Sequence, residues 1–366
     1  MNKGLKALQA NVLDRGQCTA CGACLSLCPY LGSWQGRTVK LHDCDLSEGR
    51  CFSFCPRTEV DLNALHRFVF GKEYEDIEAG PVRRVLMARS LVPAFRERAQ
   101  NGGVVSTLID FALQEGVIQA AVLTEHHEDL LPRGRIAKNR EEVLSCAGSS
   151  YVGGYALESL NRGPWQGEEP IGVVGLPCQV LALARMKSSP LEKRTPADRV
   201  NLVVGLFCTW ALDHQPFAGF LRQRFGQKPV RKLDITPPPE RLLNITVGNE
   251  FHQVPLDEIR GFIRRGCQVC LDMTSELSDV SVGTVEGVEG WNTVIIRTAM
   301  GEDLLRGAES KGALEIRAYA EERWARLKEA SLLKKRRALS ALKETEEGYL
   351  HLSQKATDEI LKEATL

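Results

Sequence analysis

The 366-residue chain has no excess of charge of either sign, because 47 lysines and arginines balance 47 aspartates and glutamates. This balance gives no electrostatic reason to expect nucleic acid or an anionic membrane as a partner. Apolar runs of roughly eighteen residues, which a membrane span needs, are also lacking. The first residues, MNKGLKALQANVLDRGQC, lack the apolar core and cleavage site of a signal peptide. We therefore expect a cytoplasmic protein of two or three domains, without a membrane span.

Cysteine, in contrast, is abundant, with twelve residues in the chain. In a reducing cytoplasm so many cysteines indicate metal or redox chemistry rather than disulfides. The usual dinucleotide-binding fingerprint, G-x-G-x-x-G after a first strand, is missing. Any redox cofactor must therefore be bound in another way.

Seven cysteines lie near the N-terminus in two groups, each ending in Cys-Pro. The first group has the spacing C-x2-C-x2-C-x3-C of a bacterial ferredoxin. In two-cluster ferredoxins the last cysteine of each run ligates the other cluster. This rule predicts a first N-terminal set of Cys18, Cys21, Cys24 and Cys55. It predicts a second N-terminal set of Cys28, Cys44 and Cys51. Structural zinc is the alternative, but zinc prefers two separated C-x2-C pairs.

The second N-terminal set is one ligand short, since the residue three after Cys44 is Ser47. Three explanations are open. A non-cysteine ligand could complete a 4Fe–4S cluster, the candidates being His42, Asp43, Asp45 and Ser47. A three-iron cluster would need only three cysteines. Finally, the chain could hold one N-terminal cluster and spare thiols.

Downstream, the sequence alternates strands and helices, which predicts an α/β domain with a partly parallel sheet. Its first helix follows Asn101-Gly102-Gly103, and the later strands, from about residue 230, are expected to extend the sheet in antiparallel fashion. The predicted strands are 82–90, 120–124, 171–175, 200–208, 232–236, 242–247, 279–284 and 293–298. The charged segment 317–366 is expected to be a solvated amphipathic helical tail or, alternatively, a partner-docking helix.

Four of the remaining cysteines have contexts that favour a further site. Cys178 follows the buried strand 171–175 in a turn before a helix predicted over 179–186, and Cys208 ends the strand 200–208. Because the carboxyl ends of parallel strands meet at one sheet edge, these two thiols could converge there. Cys267 and Cys270, in a C-x2-C loop, could then complete a 4Fe–4S site. Cys146 has no such context and is expected to be structural.

Two glycine-rich loops are candidates for contacts to a phosphate or a flat cofactor ring. One is Asn101, Gly102 and Gly103, for which an ordinary helix entry is the alternative. The other is the loop of Gly148, Ser149, Ser150 and Tyr151. Trp291 is expected to be a buried tryptophan or a lid beside a cofactor.

Several motifs together resemble the coenzyme F420 hydrogenase/dehydrogenase beta-subunit family. They are QNGGVVSTLIDFALQEGVIQAAVLTE, GSSYVGG, VGLPCQ, GLFC, RRGCQVCLD, SDVSVGTVEG and GWNTVIIRTAMG, in this order between about residues 82 and 310. The resemblance implies a bound FAD and a 4Fe–4S cluster close to it. It implies the cluster ligands Cys178, Cys208, Cys267 and Cys270, here called the sheet-edge set. It implies flavin contacts from both glycine-rich loops.

We therefore expect a ferredoxin-like iron–sulfur domain (1–80), a mixed α/β (α+β) domain for FAD and 4Fe–4S (81–315) and a helical tail (316–366). The resemblance implies an oxidoreductase that passes electrons between a hydride carrier such as coenzyme F420, through FAD and three clusters, and a ferredoxin or another redox subunit. Such a chain would be part of a hetero-oligomeric complex. The alternatives are a stand-alone reductase of an organic substrate and a non-catalytic electron-wire subunit.

Overall fold

The structure is a computed structural model that describes residues 3–165, 167–191, 195–236, 240–345 and 348–362. The N-terminal segment is mostly loops joined by short elements. They are α1 (Leu5–Leu8) with a π-helix (Gln9–Leu13), β1 (Leu31–Trp34), β2 (Arg37–Lys40), α2 (Arg50–Ser53), β3 (Val60–Asp61) and α3 (Leu62–Phe70). The sequence analysis missed the antiparallel hairpin of β1 and β2. Its two-residue turn, Gln35-Gly36, has positive φ at both positions (48° and 81°), as tight hairpin turns require.

The middle of the chain alternates strands and helices, as predicted. The elements are β4 (Arg84–Ser90), α4 (Pro93–Arg98), α5 (Val104–Gln114), β5 (Ala120–Glu125), β6 (Arg133–Ala137), α6 (Arg140–Ser145), α7 (Ala156–Arg162), β7 (Ile171–Gly175), α8 (Pro177–Ser188), β8 (Val200–Leu206) and α9 (His214–Phe225). Then follow β9 (Val230–Ile235), β10 (Leu242–Val247), β11 (Glu250–Pro255), α10 (Leu256–Ile259), α11 (Arg265–Gln268), β12 (Val280–Thr284), β13 (Asn292–Ile296), α12 (Ala299–Ser310) and β14 (Leu314–Ala318).

One large mixed sheet organises this region, with the strand order β14-β4-β13-β12-β8-β7-β5-β6. Strands β5, β7, β8 and β12 are parallel, while β6, β13 and β14 run antiparallel to their neighbours. Every residue of β7 and β13 is buried, because helices or loops cover both faces of the sheet. The carboxyl ends of the parallel strands therefore lie at one common edge, where ligand sites form in such sheets.

The prediction that the later strands extend this sheet in antiparallel fashion is wrong for 232–236 and 242–247, and the strand at 279–284 joins the sheet parallel to β8. Strands β9, β10 and β11 form a separate antiparallel sheet. Along β10 only alternate residues are buried, namely Leu243, Ile245 and Val247, and they pack on Phe217 of α9. A strand with a single apolar face covers a helix from outside, whereas the central strands of the large sheet need two apolar faces.

The C-terminal segment comprises α13 (Glu321–Thr345), β15 (Leu350–His351) and α14 (Gln354–Leu361). Strand β15 pairs in parallel with β3 of the N-terminal segment. Helix α13 buries Ala338 and Leu339 against Val269 and Leu271. The expectation of a solvated tail is therefore wrong, since this segment packs on both preceding regions. In the part of the chain described, no helix has the length and apolarity to cross a membrane.

Candidate functional site

Cys178 and Cys208 lie at the carboxyl edge of the large sheet, after the adjacent parallel strands β7 and β8. Cys208 is two residues beyond β8, and Cys178 is the second residue of α8. Helix α8 begins at Pro177 rather than at Gln179, because the side chain of Gln179 accepts a hydrogen bond from the backbone N–H of Leu176 (2.8 Å) and caps the first turn. Cys178 is thus held by the first turn of a helix, and Cys208 by the strand that ends just before it.

The C-x2-C loop packs against the segment that follows Cys208. The N–H of Arg264 donates to the carbonyl of Ala211 (2.9 Å), and the N–H of Ala211 lies 3.4 Å from Cys267 Sγ. The N–H of Cys208 donates to the carbonyl of Met273 (2.9 Å). These backbone contacts hold Cys208 beside the C-x2-C loop, and the pairing of β7 with β8 places Cys178 at the same edge.

The thiols of the sheet-edge set also influence one another's pKa. Burial raises the pKa of Cys208, and the neighbouring Cys267, Cys178 and Cys270 raise it further. Burial and then Cys270 raise the pKa of Cys267. Coordinated iron would offset this mutual repulsion and stabilise the thiolate forms of the four cysteines. The chemistry of this donor set therefore fits an iron–sulfur cluster.

Cys270 is the exception in this set, since its pKa is lowered although burial acts to raise it. The ammonium of Lys334 and the guanidinium of Arg57 outweigh burial there. Lys334 is 4% exposed and its Nζ donates to the carbonyls of Cys208 and Asp272, both at 2.7 Å. Two buried cations therefore lie beside the sheet-edge set.

The first N-terminal set also converges. Burial, followed by the charge of Cys55, raises the pKa of Cys21 to about 12. Burial raises the pKa of Cys55 to about 12 as well, with a contribution from Cys18. Cys24 has its pKa raised by burial and then by Cys21 and Cys18. Cys55 is thus placed with the first run of cysteines, which is the crossed arrangement expected from two-cluster ferredoxins.

The second N-terminal set lies next to it. Burial, then Cys28 and Cys44, raises the pKa of Cys51 to about 11. The four side chains suggested as a fourth ligand are all exposed: His42, Asp43, Asp45 and Ser47. Asp43 Oδ1 pairs with Lys40 (2.8 Å) and Asp45 Oδ1 with Lys6 (3.9 Å). The three explanations for this set stay predictions.

The N-terminal and sheet-edge sets are joined by two buried arginines that point in opposite directions. Arg264 donates from Nε (3.2 Å) and Nη2 (3.1 Å) to the carbonyl of Cys18. Arg57 donates from Nε (3.0 Å) and Nη2 (2.8 Å) to the carbonyl of Gly266. Burial and then Cys21 raise the pKa of Cys178, so the first N-terminal set and the sheet-edge set are direct neighbours.

The two glycine-rich loops also meet at the carboxyl edge of the sheet. Gln100 Nε2 donates to Tyr151 Oη (2.6 Å) and to Asp234 of β9, and the N–H of Ile235 donates to the same Oη (3.1 Å). Asn101 Nδ2 donates to Thr284 Oγ1 (3.1 Å) at the end of β12. Gly148 and Ser149 are exposed, and Ser150 is half-buried.

Internal packing accounts for Gly102. A Cβ atom there would lie 2.5 Å from Asn292 Oδ1 and 2.9 Å from the carbonyl of Ala88. Gly103 has a positive φ of 73° and precedes α5 directly. The glycines of this loop therefore fit an ordinary helix entry, and the contact of Gln100 with Tyr151 carries the case for a cofactor site.

Trp291 is a buried tryptophan, 5% exposed, that lies between two guanidinium groups. Arg89 and Arg317 stand 4.7 and 4.4 Å from its ring centre. Cys146 is half-buried and packs against the main core. Neither residue belongs to the thiol sites described above.

Sequence reasoning missed five residues of these sites, namely Arg57, Gln100, Asp234, Arg264 and Lys334. Gln100 and Arg264 are the first residues of two of the quoted motifs, QNGGVVSTLIDFALQEGVIQAAVLTE and RRGCQVCLD, so their positions gave a weak signal. Among the residues described, no group of three His, Cys, Asp or Glu side chains is close enough to hold a single metal ion. Thiolates that bind different irons of one cluster stand further apart than the ligands of one zinc ion.

The fold is of the mixed α/β class, with cysteines gathered at the carboxyl edge of its large sheet. The family model described as "Coenzyme F420 hydrogenase/dehydrogenase, beta subunit N-term" matches residues 85–161 of the chain. The model of the C-terminal part of the same family matches residues 168–322. The chain therefore belongs to the coenzyme F420 hydrogenase/dehydrogenase beta-subunit family, as the motifs predicted.

Individual relatives agree with this family. The coenzyme F420 hydrogenase subunit beta of Methanothermobacter thermautotrophicus is 30% identical over 66% of this chain and 86% of the relative. The coenzyme F420-dependent sulfite reductase of Methanocaldococcus jannaschii is 27% identical over 87% of this chain, but only 50% of that relative is covered. A chain of the F420-reducing NiFe hydrogenase complex from Methanosarcina barkeri superimposes with a TM-score of 0.68 at 26% identity, covering 74% of this chain and 94% of that chain.

Proposed function

We propose that this protein is a flavin- and iron–sulfur-dependent oxidoreductase subunit that moves electrons between coenzyme F420 and a ferredoxin-like partner. The family membership supports the F420-linked redox role. The observation that supports the electron path is the pair of side-chain contacts that join the loops of two thiol sets from different parts of the chain. Arg264 and Arg57 tie the loops of the sheet-edge set and the first N-terminal set together.

In this proposal the sheet-edge set holds one 4Fe–4S cluster, and the two N-terminal sets hold two more. Within each set, the thiols are close enough for neighbouring cysteines to raise one another's pKa. Such a grouping of thiols fits the ligands of an iron–sulfur cluster. The backbone carries part of this task, because the N–H of Ala20 lies 3.4 Å from Cys18 Sγ and that of Ala211 lies 3.4 Å from Cys267 Sγ. Hydrogen bonds to sulfur stabilise the thiolate form and raise the potential of a cluster.

FAD is proposed to bind along the Gln100–Tyr151 contact. Both loops lie at the carboxyl edge of the sheet, where flavins and nucleotides bind in α/β folds. Helix α5 begins directly after the first of these loops, and Gly148 and Ser149 of the second loop are exposed. When bound, FAD supplies hydride exchange and the conversion between two-electron and one-electron transfer. The residues named here hold it and orient it.

The N-terminal segment is proposed as the outlet towards a partner. The second N-terminal set lies beside the exposed residues Leu41 and Leu46, which are 54% and 66% exposed. A redox partner, such as a ferredoxin or another subunit of a hetero-oligomeric complex, would approach this side of the molecule. The relative named as a subunit of F420 hydrogenase supports membership of a complex.

The test is purification under argon, followed by counting of iron, acid-labile sulfide and released flavin per chain. The proposal requires about twelve irons with two full N-terminal clusters, or about eleven with a three-iron second cluster, and one flavin. Reduced F420 is then added, with NADH as the comparison. We expect reduced F420 to bleach the flavin and NADH to leave it oxidised.

The variant C267A isolates the sheet-edge set. It should lose the iron of one cluster while the electron paramagnetic resonance signals of the N-terminal clusters persist. An unchanged iron count in C267A would refute the assignment of this set. Clusters without flavin would instead favour the non-catalytic electron-wire alternative, and a flavin that only an organic substrate reoxidises would favour the stand-alone reductase.

A further inference from the structure

Two buried cations, Arg57 and Lys334, lie beside the sheet-edge set. Neither belongs to the part of the chain that the family models match. That part comprises residues 85–161 and 168–322. Arg57 precedes it in the N-terminal segment, and Lys334 follows it in α13. Both side chains are 4% exposed, so water screens their charges only weakly.

Lys334 is held at one position by two hydrogen bonds. Its Nζ donates to the carbonyl of Cys208 and to the carbonyl of Asp272, both at 2.7 Å. These carbonyls belong to the two loops that carry three of the four thiols. The ammonium is therefore placed between Cys208 and the C-x2-C loop, and the carbonyls share its charge without neutralising it.

The electrostatic surroundings agree with this placement. Burial acts to lower the pKa of Lys334, yet Cys270, Cys208, Asp272 and Cys267 together raise it. The neighbouring Lys335, by contrast, is paired with a carboxylate, since its Nζ donates to Glu276. Lys334 thus lies among three thiols and the carboxylate of Asp272, whereas Lys335 is hydrogen-bonded directly to a carboxylate.

Arg57 reaches the same site from the other side. Its guanidinium donates to the carbonyl of Gly266, immediately before Cys267. The positive charge of Arg57 acts to lower the pKa of Cys270 and of Cys178. This second positive charge stabilises negative charge on the thiols, as the charge of Lys334 does. The N-terminal and C-terminal segments therefore each contribute one cation to a site whose thiols come from the large domain.

We propose that Lys334, together with Arg57, raises the reduction potential of the sheet-edge cluster and so sets the direction in which electrons leave the flavin. This inference rests on the proposed function. Each electron that enters the cluster adds one negative charge, and a buried ammonium stabilises that reduced form more than the oxidised form. The electron comes from the hydride carrier through FAD, and the acceptor is the first N-terminal cluster beside it.

The test compares midpoint potentials, measured by anaerobic redox titration with electron paramagnetic resonance detection. The C267A variant first identifies the signal of the sheet-edge cluster by its loss. In K334M, which keeps the length of the side chain but not the charge, this signal should need a more reducing potential. We expect about a tenfold change in the reduction equilibrium, which is about 59 mV for one electron. K334R should restore the potential.

Lys343 offers a matched control, because it is an exposed lysine on the same helix. K343M should leave the potential where it is. A K334M protein with full iron and an unchanged potential would overturn the proposal. If K334M loses the sheet-edge iron, the iron content of K334Q and K334R is compared. Iron that only K334R retains supports a need for the positive charge. Iron lost from all three variants overturns the proposal in favour of a structural role. If C267A retains all of its iron, the proposed function itself is refuted.

Discussion

Arg264, which precedes the C-x2-C loop, donates two hydrogen bonds to the carbonyl oxygen of Cys18, a residue 246 positions earlier in the chain. Its Nη1 also donates to the carbonyl of Gly36 (3.3 Å). A side chain of the large domain therefore fixes the loop that carries the first N-terminal set. This connection joins two regions that have separate sequence motifs, as the proposed electron path requires.

The variant R264M should loosen this connection. It leaves the buried carbonyls of Cys18 and Gly36 without their charged donor, which costs about 3 kcal/mol of unfolding free energy. The measurement is the urea midpoint of the anaerobic protein together with its iron content. The exposed neighbour Arg265 provides the control, and R265M should change stability by less than about 0.5 kcal/mol. Equal midpoints for both variants would contradict the bracing role.

Gly22, between Cys21 and Cys24, approaches α7 closely. It has a φ of +87°, and a Cβ atom there would lie 2.6 Å from the backbone N of Glu158. G22A should therefore lose stability and first-set iron. Gly116 has a similar φ of +70° but open space around it, so G116A measures the backbone strain alone, about 1–2 kcal/mol. Similar losses in the two variants would show that the close approach is unimportant.

Lys335 and Glu276 form a buried ion pair, with side-chain exposures of 0% and 5%. E276Q leaves an uncompensated ammonium in the interior and should cost about 3–5 kcal/mol. The pair of Arg224 and Glu258 is the surface counterpart, with both side chains 41% exposed, and E258Q should cost less than about 1 kcal/mol. Thermal unfolding of both variants at neutral pH checks this difference. An E276Q protein as stable as E258Q would contradict this prediction.

His66 is 1% exposed, and burial followed by the charge of Lys335 lowers its pKa from 6.5 to about 3. Between these two values the unfolded chain binds a proton that the folded protein does not bind. The contribution of His66 is therefore full above pH 6.5 and is lost as the pH falls towards 3, by at most about 1.4 kcal/mol per pH unit.

The H66Q variant should remove this part of the acid sensitivity. Urea midpoints between pH 7 and pH 5 should fall less steeply in H66Q than in the parent protein. Cluster loss in acid affects both proteins alike, so their difference reports His66. The exposed His351 is the control, and H351Q should follow the parent curve. Parallel curves for H66Q and the parent would disprove the assignment.

Tyr151 joins the two loops of the proposed flavin site through its hydroxyl. Y151F removes the acceptor for Gln100 and for the N–H of Ile235, so the loops should separate and flavin content should fall several-fold. Flavin is counted per chain after anaerobic purification. Tyr319, whose hydroxyl contacts Thr293 (3.1 Å), serves as the control in Y319F. Full flavin occupancy in Y151F would place the flavin elsewhere.

The sequence was most informative where local pattern and covalent spacing suffice. The run from Cys18 to Cys28 has a fixed spacing, and strands β7 and β8 are short apolar runs whose ends carry Cys178 and Cys208. Because parallel strands share one edge, their convergence follows from the strand assignment alone. The strand 242–247 was found but placed in the wrong sheet, since an alternating pattern does not specify which surface it covers.

By itself, then, the sequence determined the family, the main strands and helices, and the cysteines that group at each site. Only the tertiary structure decided what surrounds those cysteines. Lys334 reaches Cys208 across 126 residues, and Arg57 reaches Gly266 across 209. On α13, Lys334 lies among other lysines and arginines, so its pattern resembles a solvated face. The burial of such a charge depends on long-range partners that compensate desolvation, and no local pattern in a sequence records them.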